Sequence, residues 1–319
     1  MKKKLVLLFF TTFLGLSACN PVKPLPDTNQ NAENPDSYNG PSTTFSNILM
    51  GNGTFAYHNN FIYIATNSGA IEYDLLSKES VFIPSKHEMN AISYVDNHYI
   101  YFSQREKNGL MCMSKDGKIS KTIYEDASGY YYLYLTETHA YYANSMNGSL
   151  FRYTFETDTE DELCSILNGY FIDDSTLYVL QEKNDATYLY KSNLNEIDFQ
   201  PVSLSFSPIR VIAIDDTLYL SKKGIWDIIM YKDGIETTLP IYSFDYQVLG
   251  NQIIYIDRST NILNLYNLET GEIRTLFEND VYTFCILAER YIGIQSSNTY
   301  YLYDLESKTL ELMYPQEGE

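Results

Sequence analysis

One apolar-tyrosine step, set just after a polar turn, recurs through most of the chain and limits the available folds more than any other feature. It reads Phe61-Ile62-Tyr63, Tyr99-Ile100-Tyr101, Ala140-Tyr141-Tyr142, Thr176-Leu177-Tyr178, Thr217-Leu218-Tyr219 and Ile253-Ile254-Tyr255, then, in degenerate form, Tyr291-Ile292-Gly293. Successive copies lie 38, 41, 36, 41, 36 and 38 residues apart. A second position follows each copy by 10 to 12 residues: Tyr73, Met113, Tyr153, Tyr190, Tyr231, Tyr266 and Tyr303. Two landmarks that keep pace over seven copies define an internal repeat, and a period in this range points to a solenoid or a propeller rather than to a chain with one unrepeated core.

Inside each repeat, short runs rich in Tyr, Ile, Leu and Phe alternate with turn residues such as Asp96-Asn97, Asp215-Asp216, Asp233-Gly234, Gly250-Asn251 and Thr270-Gly271, the pattern of strands joined by tight turns. No window carries a helical period. Four strands per repeat, repeated radially, make a β-propeller blade. The expected fold is therefore all-β, a seven-bladed β-propeller of four-stranded antiparallel blades over residues 46–319. Blade one falls at about 54–84 and blade seven at about 285–315, so no blade is shared between the termini. Residues 45–50 are placed for an extra strand where blades seven and one meet. Because the seventh copy is degenerate, six or eight blades are the alternatives to seven.

Ile254-Tyr255-Ile256-Asp257, followed by Leu265-Tyr266-Asn267-Leu268-Glu269-Thr270-Gly271-Glu272, resembles the blades of low-density-lipoprotein-receptor-type propellers with their Tyr-Trp-Thr-Asp strands, and is closest to the bacterial lipoprotein branch of that group. The resemblance spans roughly residues 52 to 315. It departs from the receptor pattern because the single tryptophan, Trp226, lies outside the repeated step. It implies a propeller with structural tyrosines and carries over no catalytic residue.

The N-terminus gives an address. Lys2, Lys3 and Lys4 precede an apolar run from Leu5 to Leu16, too short to span a bilayer and typical of a secretory signal. It ends in Leu16-Ser17-Ala18-Cys19, which resembles the lipobox of bacterial lipoproteins. The resemblance implies a signal peptide over residues 1–18, a diacylglycerol on the Cys19 sulfur, and an extracytoplasmic protein held on the bacterial cell membrane. Two or more acyl chains make a stable anchor where one is marginal. Residues 19–45 hold five of the ten prolines amid Asn, Asp, Ser and Thr and read as a disordered tether that spans about 25–30 Å as a random coil. Asn20, not Asp, follows Cys19, which in a two-membrane cell points to the outer membrane.

With 22 Lys and Arg against 41 Asp and Glu the net charge is −19, and it becomes −22 once residues 1–18 and their three lysines are removed. Such a chain lacks the cationic footprint that binds nucleic acid. The chemistry is equally sparse. The inner strand of each blade is expected at Ala91-Ile92-Ser93-Tyr94-Val95, Leu133-Tyr134-Leu135, Tyr170-Phe171-Ile172, Val211-Ile212-Ala213-Ile214 and Cys285-Ile286-Leu287-Ala288, with Arg210 the one charge beside them. No pair of carboxylates converges there as a glycosidase requires. There is no HExxH, no nucleophile elbow and no phosphate loop.

Ser114-Lys115-Asp116-Gly117 looks like a fragment of a sialidase Asp-box and reads as a hairpin. His98 and His139 occupy equivalent places in adjacent repeats. Asp158, Glu160, Asp161 and Glu162 read as an acidic turn. None of these supplies a full ligand set, so no metal and no cofactor are expected. Cys112, Cys164 and Cys285 sit in apolar strands and read as buried thiols.

The least repetitive loops fall on one face, that of the B–C and D–A connections. They are Gln104-Arg105-Glu106-Lys107-Asn108, Ser128-Gly129-Tyr130-Tyr131-Tyr132, Glu182-Lys183-Asn184-Asp185, Lys222-Lys223-Gly224-Ile225-Trp226 and Arg258-Ser259. Aromatic and Arg anchors amid polar loops are the composition of a contact surface. The candidate binding residues are Arg105, Tyr130, Tyr131, Arg210, Lys222, Lys223, Trp226 and Arg258; ordinary loops, with Tyr130 to Tyr132 simply entering a strand, are the plainer alternative. The expected role is non-catalytic binding or scaffolding of a protein or glycan partner, with a hydrolase or lyase acting on envelope polysaccharide as the alternative.

Overall fold

The computed structural model describes residues 53–104, 110–124, 130–135, 138–144, 148–154, 157, 159–165, 167–173, 175–243 and 245–315. The signal peptide, Cys19, the tether, residues 45–50 and Arg105 lie outside the described residues.

Among the described residues, twenty-eight strands form seven four-stranded antiparallel sheets, each in sequence order from inner strand A to outer strand D. Blade 1 is β1 (Phe55–His58), β2 (Phe61–Thr66), β3 (Gly69–Asp74) and β4 (Ser80–Pro84). Blade 2 is β5 (Met89–Val95), β6 (Tyr99–Gln104), β7 (Leu110–Ser114) and β8 (Ser120–Tyr124). Blade 3 is β9 (Tyr130–Leu135), β10 (His139–Asn144), β11 (Ser149–Thr154) and β12 (Thr159–Cys164). Blade 4 is β13 (Leu167–Asp173), β14 (Thr176–Lys183), β15 (Ala186–Asn193) and β16 (Gln200–Pro201). Blade 5 is β17 (Pro208–Ile214), β18 (Thr217–Lys222), β19 (Asp227–Lys232) and β20 (Ile235–Tyr242). Blade 6 is β21 (Tyr246–Leu249), β22 (Gln252–Ile256), β23 (Leu263–Asn267) and β24 (Ile273–Phe277). Blade 7 is β25 (Thr283–Leu287), β26 (Tyr291–Ser296), β27 (Thr299–Asp304) and β28 (Thr309–Pro315). The count of seven and the unshared blades match the repeat.

The repeated step is strand B, and its tyrosines Tyr63, Tyr101, Tyr142, Tyr178, Tyr219 and Tyr255 are all buried. The second landmark is strand C. The two meet in register as Ile62↔Tyr73, Ile100↔Met113, Ala140↔Tyr153, Leu218↔Tyr231, Ile253↔Tyr266 and Ile292↔Tyr303. Blade 4 is the exception: Tyr190 pairs with Val179, one residue past the step, and Leu177 with Ser192. Two-residue turns with both residues at positive φ, such as Asn59-Asn60 and Asp215-Asp216, supply the twist that antiparallel hairpins favour.

Adjacent blades are stitched at the inner strands. Tyr170 Oη donates to the Tyr141 carbonyl and Tyr246 Oη to the Tyr219 carbonyl, each at 2.9 Å, so a strand-A tyrosine satisfies a strand-B carbonyl of the preceding blade. Gln247 donates to the Phe284 carbonyl (3.1 Å) and accepts from the Ile286 amide (2.8 Å).

The degenerate seventh step has a steric cause. Gly293 stands where other blades carry tyrosine, and Phe55 of blade 1 fills the space: a Cβ on Gly293 would meet Phe55 Cδ1 at 2.8 Å. Phe55 is 1% exposed and packs edge-on against Tyr300, with centroids 6.0 Å apart. Farther out, Tyr73 Oη and Lys78 Nζ both reach Glu311, and Ser80 Oγ donates to the Met313 carbonyl. The ring thus closes by side chains rather than by a shared blade.

Two local expectations are corrected. The acidic run is no turn: Glu160, Asp161 and Glu162 lie in outer strand β12, where Glu160 meets the Tyr142 hydroxyl, Asp161 pairs with Arg152 and Glu162 accepts from Ser149. Asp158 lies outside the described residues. The last inner strand stops at Leu287, because Ala288 and Glu289 take positive φ in the turn that follows.

Candidate binding face

Strand A runs away from the D–A side of each blade, so the B–C turns and the D–A connections share one face. On blades 4 to 6 these segments interlock. Trp226 N donates to the Lys222 carbonyl at 3.2 Å, closing a tight turn between β18 and β19 around Gly224. Lys223 N donates back to the Ser207 carbonyl (3.0 Å), on the connection from blade 4. The Trp226 carbonyl accepts from Ser243 N (3.1 Å), on the connection to blade 6. Ser243 Oγ lies 2.8 Å from the Asp245 carbonyl and 2.7 Å from the Ile256 carbonyl, and Arg258 N donates to the Tyr242 carbonyl at 3.1 Å.

Trp226 itself sits at φ +65°. Among the described non-glycine residues at positive φ it is the one aromatic; the others are Asn, Asp, Lys, Ser, Ala and Glu. A bulky side chain in the left-handed region costs on the order of 1 kcal/mol, and persists only where its surroundings hold it. Here they do: the Arg258 guanidinium lies 4.4 Å from the centre of the indole, a cation–π contact across two blades. Lys222 Nζ lies 6.0 Å from the Phe206 ring, and Lys223 Nζ is 3.4 Å from both Glu182 Oε1 and the Asp185 carbonyl. Ile225 is 47% and Tyr242 42% exposed beside Trp226.

Charge on this face is balanced. Burial alone would raise the Asp257 carboxyl, but hydrogen bonds from Ser259 and Thr260 outweigh it and hold it below the usual range. In a chain of net charge −19, a patch where Lys222, Lys223 and Arg258 offset Glu182, Asp185 and Asp257 is a local neutral island.

Of the sequence candidates, Lys222, Lys223, Trp226 and Arg258 are brought together. Tyr130 and Tyr131 enter β9 on blade 3, and their side chains, like Arg105, lie outside the described residues. Arg210 is not part of the exposed patch. Its side chain, 12% exposed, pairs with Asp245 at 3.2 Å, donates to the Tyr246 carbonyl at 2.8 Å and covers the Tyr246 ring. Burial pushes the Asp245 carboxyl up while Arg210 opposes the shift. Asp245, Tyr242 and Phe206 escaped the sequence reading, and Ile225 was named only as part of its loop. For Asp245 a signal existed: Arg210 and Asp245 are opposite charges one repeat apart, each just before or within an inner strand.

On the opposite face, Ser114 to Gly117 is the expected hairpin between β7 and β8. His98 packs on Tyr99, whereas His139 lies against Tyr141 and bonds Thr138. Among the described residues no group of three or more His, Cys, Asp and Glu is arranged to hold a metal. Cys112 and Cys285 are buried; Cys164 is half-buried and its thiol is pushed up to about 11 by burial.

No protein-family model matches the chain, and no curated protein matches it in sequence. Solved structures do match in fold. A puromycin-hydrolysing peptidase of Mycobacterium tuberculosis aligns at 11% identity and TM-score 0.62, over 87% of this chain and 55% of that one. Kluyveromyces lactis Hsv2p aligns at 11% identity and TM-score 0.55, over 81% and 97%. BamB from Moraxella catarrhalis aligns at 12% identity and TM-score 0.50, over 83% and 82%. At such identities the likeness is one of β-propeller architecture.

Proposed function

We propose that this is a non-catalytic, lipid-anchored extracytoplasmic propeller that binds a protein or cell-envelope partner through the B–C and D–A face of blades 4 to 6. The observation that carries the reading is the locked Trp226–Arg258 pair, flanked by exposed Ile225 and Tyr242. Tryptophan, tyrosine and arginine dominate binding hot spots, and a surface already fixed by backbone bonds between three blades loses little freedom on binding. The anchoring rests on Leu16-Ser17-Ala18-Cys19, and the narrower kinship with low-density-lipoprotein-receptor-type propellers on the strand from Ile254 to Asp257.

The test is capture from the solubilised envelope of the producing cell, comparing the parent chain with Trp226→Ala/Arg258→Ala and with Thr122→Ala on the outer strand of blade 2. Each hot-spot truncation of about 2 kcal/mol weakens binding about 30-fold. A component retained by the parent and by Thr122→Ala but lost by the double variant supports the reading. Equal retention by all three shows that the face is wrong, and no retained component overturns partner binding.

A further inference from the structure

The exposed apolar residues of the ring are sorted by kind between its two faces. On the A–B and C–D side they are aliphatic: Leu76, Ile119, Ile235 and Ile273. The B–C and D–A side of blades 4 to 7 instead carries Tyr188, Tyr242 and Tyr282, which are 46%, 42% and 67% exposed, together with Ile225. Tyr188 stands near the B–C end of the blade-4 hairpin, Tyr242 ends β20, and Tyr282 precedes β25, its amide bonded to the Gln295 carbonyl at 2.9 Å. Among the described residues these are all the exposed tyrosines, and they share their side with Trp226, the one tryptophan of the chain.

Charge is sorted as well. Among the described residues the A–B and C–D turns hold twelve acids against five lysines and arginines, whereas the B–C and D–A connections hold six against three. One of those six, Asp245, is matched by the buried Arg210. The two faces are separated by strands about 20 Å long at about 3.4 Å per residue, roughly two and a half Debye lengths at physiological salt. An anionic surface therefore repels the A–B and C–D face more strongly and, when it meets the other, is screened from the first. The point of chain entry agrees. The Gly53 carbonyl accepts from Ile92 N of inner strand β5 at 2.8 Å, so the chain arrives among the inner strands on the B–C and D–A side, not at the rim.

We infer that the B–C and D–A face of blades 4 to 7 rests on the headgroup layer of the membrane that carries the anchor. The inference deepens the reading above, on whose acylated Cys19 it rests, by naming the lipid surface itself as the partner. Tryptophan and tyrosine join an apolar ring to a polar edge and settle at the boundary between acyl chains and water; the aliphatic residues of the opposite face bring no such edge. A tether of about 25–30 Å that leaves from the middle of this face presents the bilayer at an effective concentration on the order of millimolar, so a weak contact is enough to hold it. The reverse orientation would turn the more acidic face to anionic headgroups and draw the tether around the ring.

Because Trp226 is the single tryptophan, the emission of the unsubstituted chain reports this face alone, and the central measurement needs no variant. The full-length protein from the producing cell is incorporated into vesicles of phosphatidylethanolamine with a minor share of phosphatidylglycerol, with and without brominated acyl chains, which quench an indole only at close range. With the indole at the headgroup boundary, bromine is expected to lower Trp226 emission about two-fold. In a Trp226→Phe background Tyr282→Trp is expected to be quenched likewise, and Leu76→Trp, on the opposite face, is not. Flotation separates the two possible failures. A chain that does not float with the vesicles lacks the anchor and overturns both the anchored reading and the inference. A chain that floats with Trp226 unquenched overturns the inference and leaves the anchor intact, as does equal quenching of Leu76→Trp. A blue shift of Trp226 that is absent in pure lipid and appears only on adding solubilised envelope protein assigns the face to a protein partner and overturns the inference.

Discussion

Replacing Gly293 by alanine is expected to loosen the ring at the seam between blades 7 and 1, and the cost is expected to vanish when Phe55 is removed as well. A Cβ at position 293 would lie 2.8, 2.9 and 3.1 Å from Phe55 Cδ1, Cγ and Cε1, distances that a rigid, fully buried ring cannot absorb by rotating a flexible tip. Overpacking of this kind costs about 1–3 kcal/mol. Phe55→Ala alone leaves a cavity against Tyr300 and Ile64 and is expected to cost about 3–5 kcal/mol. In the Phe55→Ala background the new methyl enters that cavity, so the second substitution adds nothing, or returns a fraction of the about 0.5–1 kcal/mol that alanine gains over glycine in a strand. The coupling between the sites is then about 1–3 kcal/mol, readable from urea midpoints at constant m-value in a double-mutant cycle. Additive losses would refute the claim that Gly293 is glycine because Phe55 occupies its side-chain space.

Arg210→Met is expected to cost about 3–5 kcal/mol in urea unfolding by stranding Asp245 in the interior, and Arg210→Met/Asp245→Leu to recover most of it, since a well-packed apolar pair replaces a buried ion pair at little net cost. The His58 imidazole, bonded to Asn97 and Asn59, is held below its ordinary pKa by burial. The unfolded chain therefore takes up its proton first, stability falls as pH drops below about 6.5, and His58→Gln is expected to flatten that limb of the stability curve. Asp304 lies well below the usual carboxylate range because Arg290 and the amides of Glu306 and Ser307 bond it. Its contribution is present above about pH 4 and lost on further acidification, so Asp304→Asn is expected to be less stable at pH 7 while losing less between pH 4 and 2. Cys19→Ala is expected to move the protein from the membrane to the soluble fraction and to abolish its labelling by palmitate in the producing cell; an unchanged membrane share would refute anchoring at Cys19.

The architecture was legible because strand B must bury a tyrosine or its equivalent in every blade, and that demand repeats at the blade period. The same logic made Tyr291-Ile292-Gly293 look degenerate, when the missing ring is supplied by Phe55, some 240 residues away in sequence. No local pattern carries that information. Glu160 to Glu162 was misread for a related reason: an outer strand with one face in water takes acids freely, so composition alone does not separate it from a turn. At the binding face, the cations and Trp226 stood out against an acidic chain, whereas Tyr242 looks like any strand residue until the Arg258 amide and the pairing with Asp227 place its backbone next to that of Trp226. Arg210 shows the opposite failure. A lone charge beside an inner strand reads as functional from sequence, and only the position of Asp245 on the next blade reveals a structural pair.

Where the chain enters the ring bears on how the binding face meets a partner. Gly53, the first described residue, bonds Ile92 N through its carbonyl at 2.8 Å, so the chain enters blade 1 on the same B–C and D–A side that carries Trp226. If the preceding residues lead to an anchor at Cys19, a tether of about 25–30 Å leaves from the binding face itself, and a partner at or near the membrane lies within its reach.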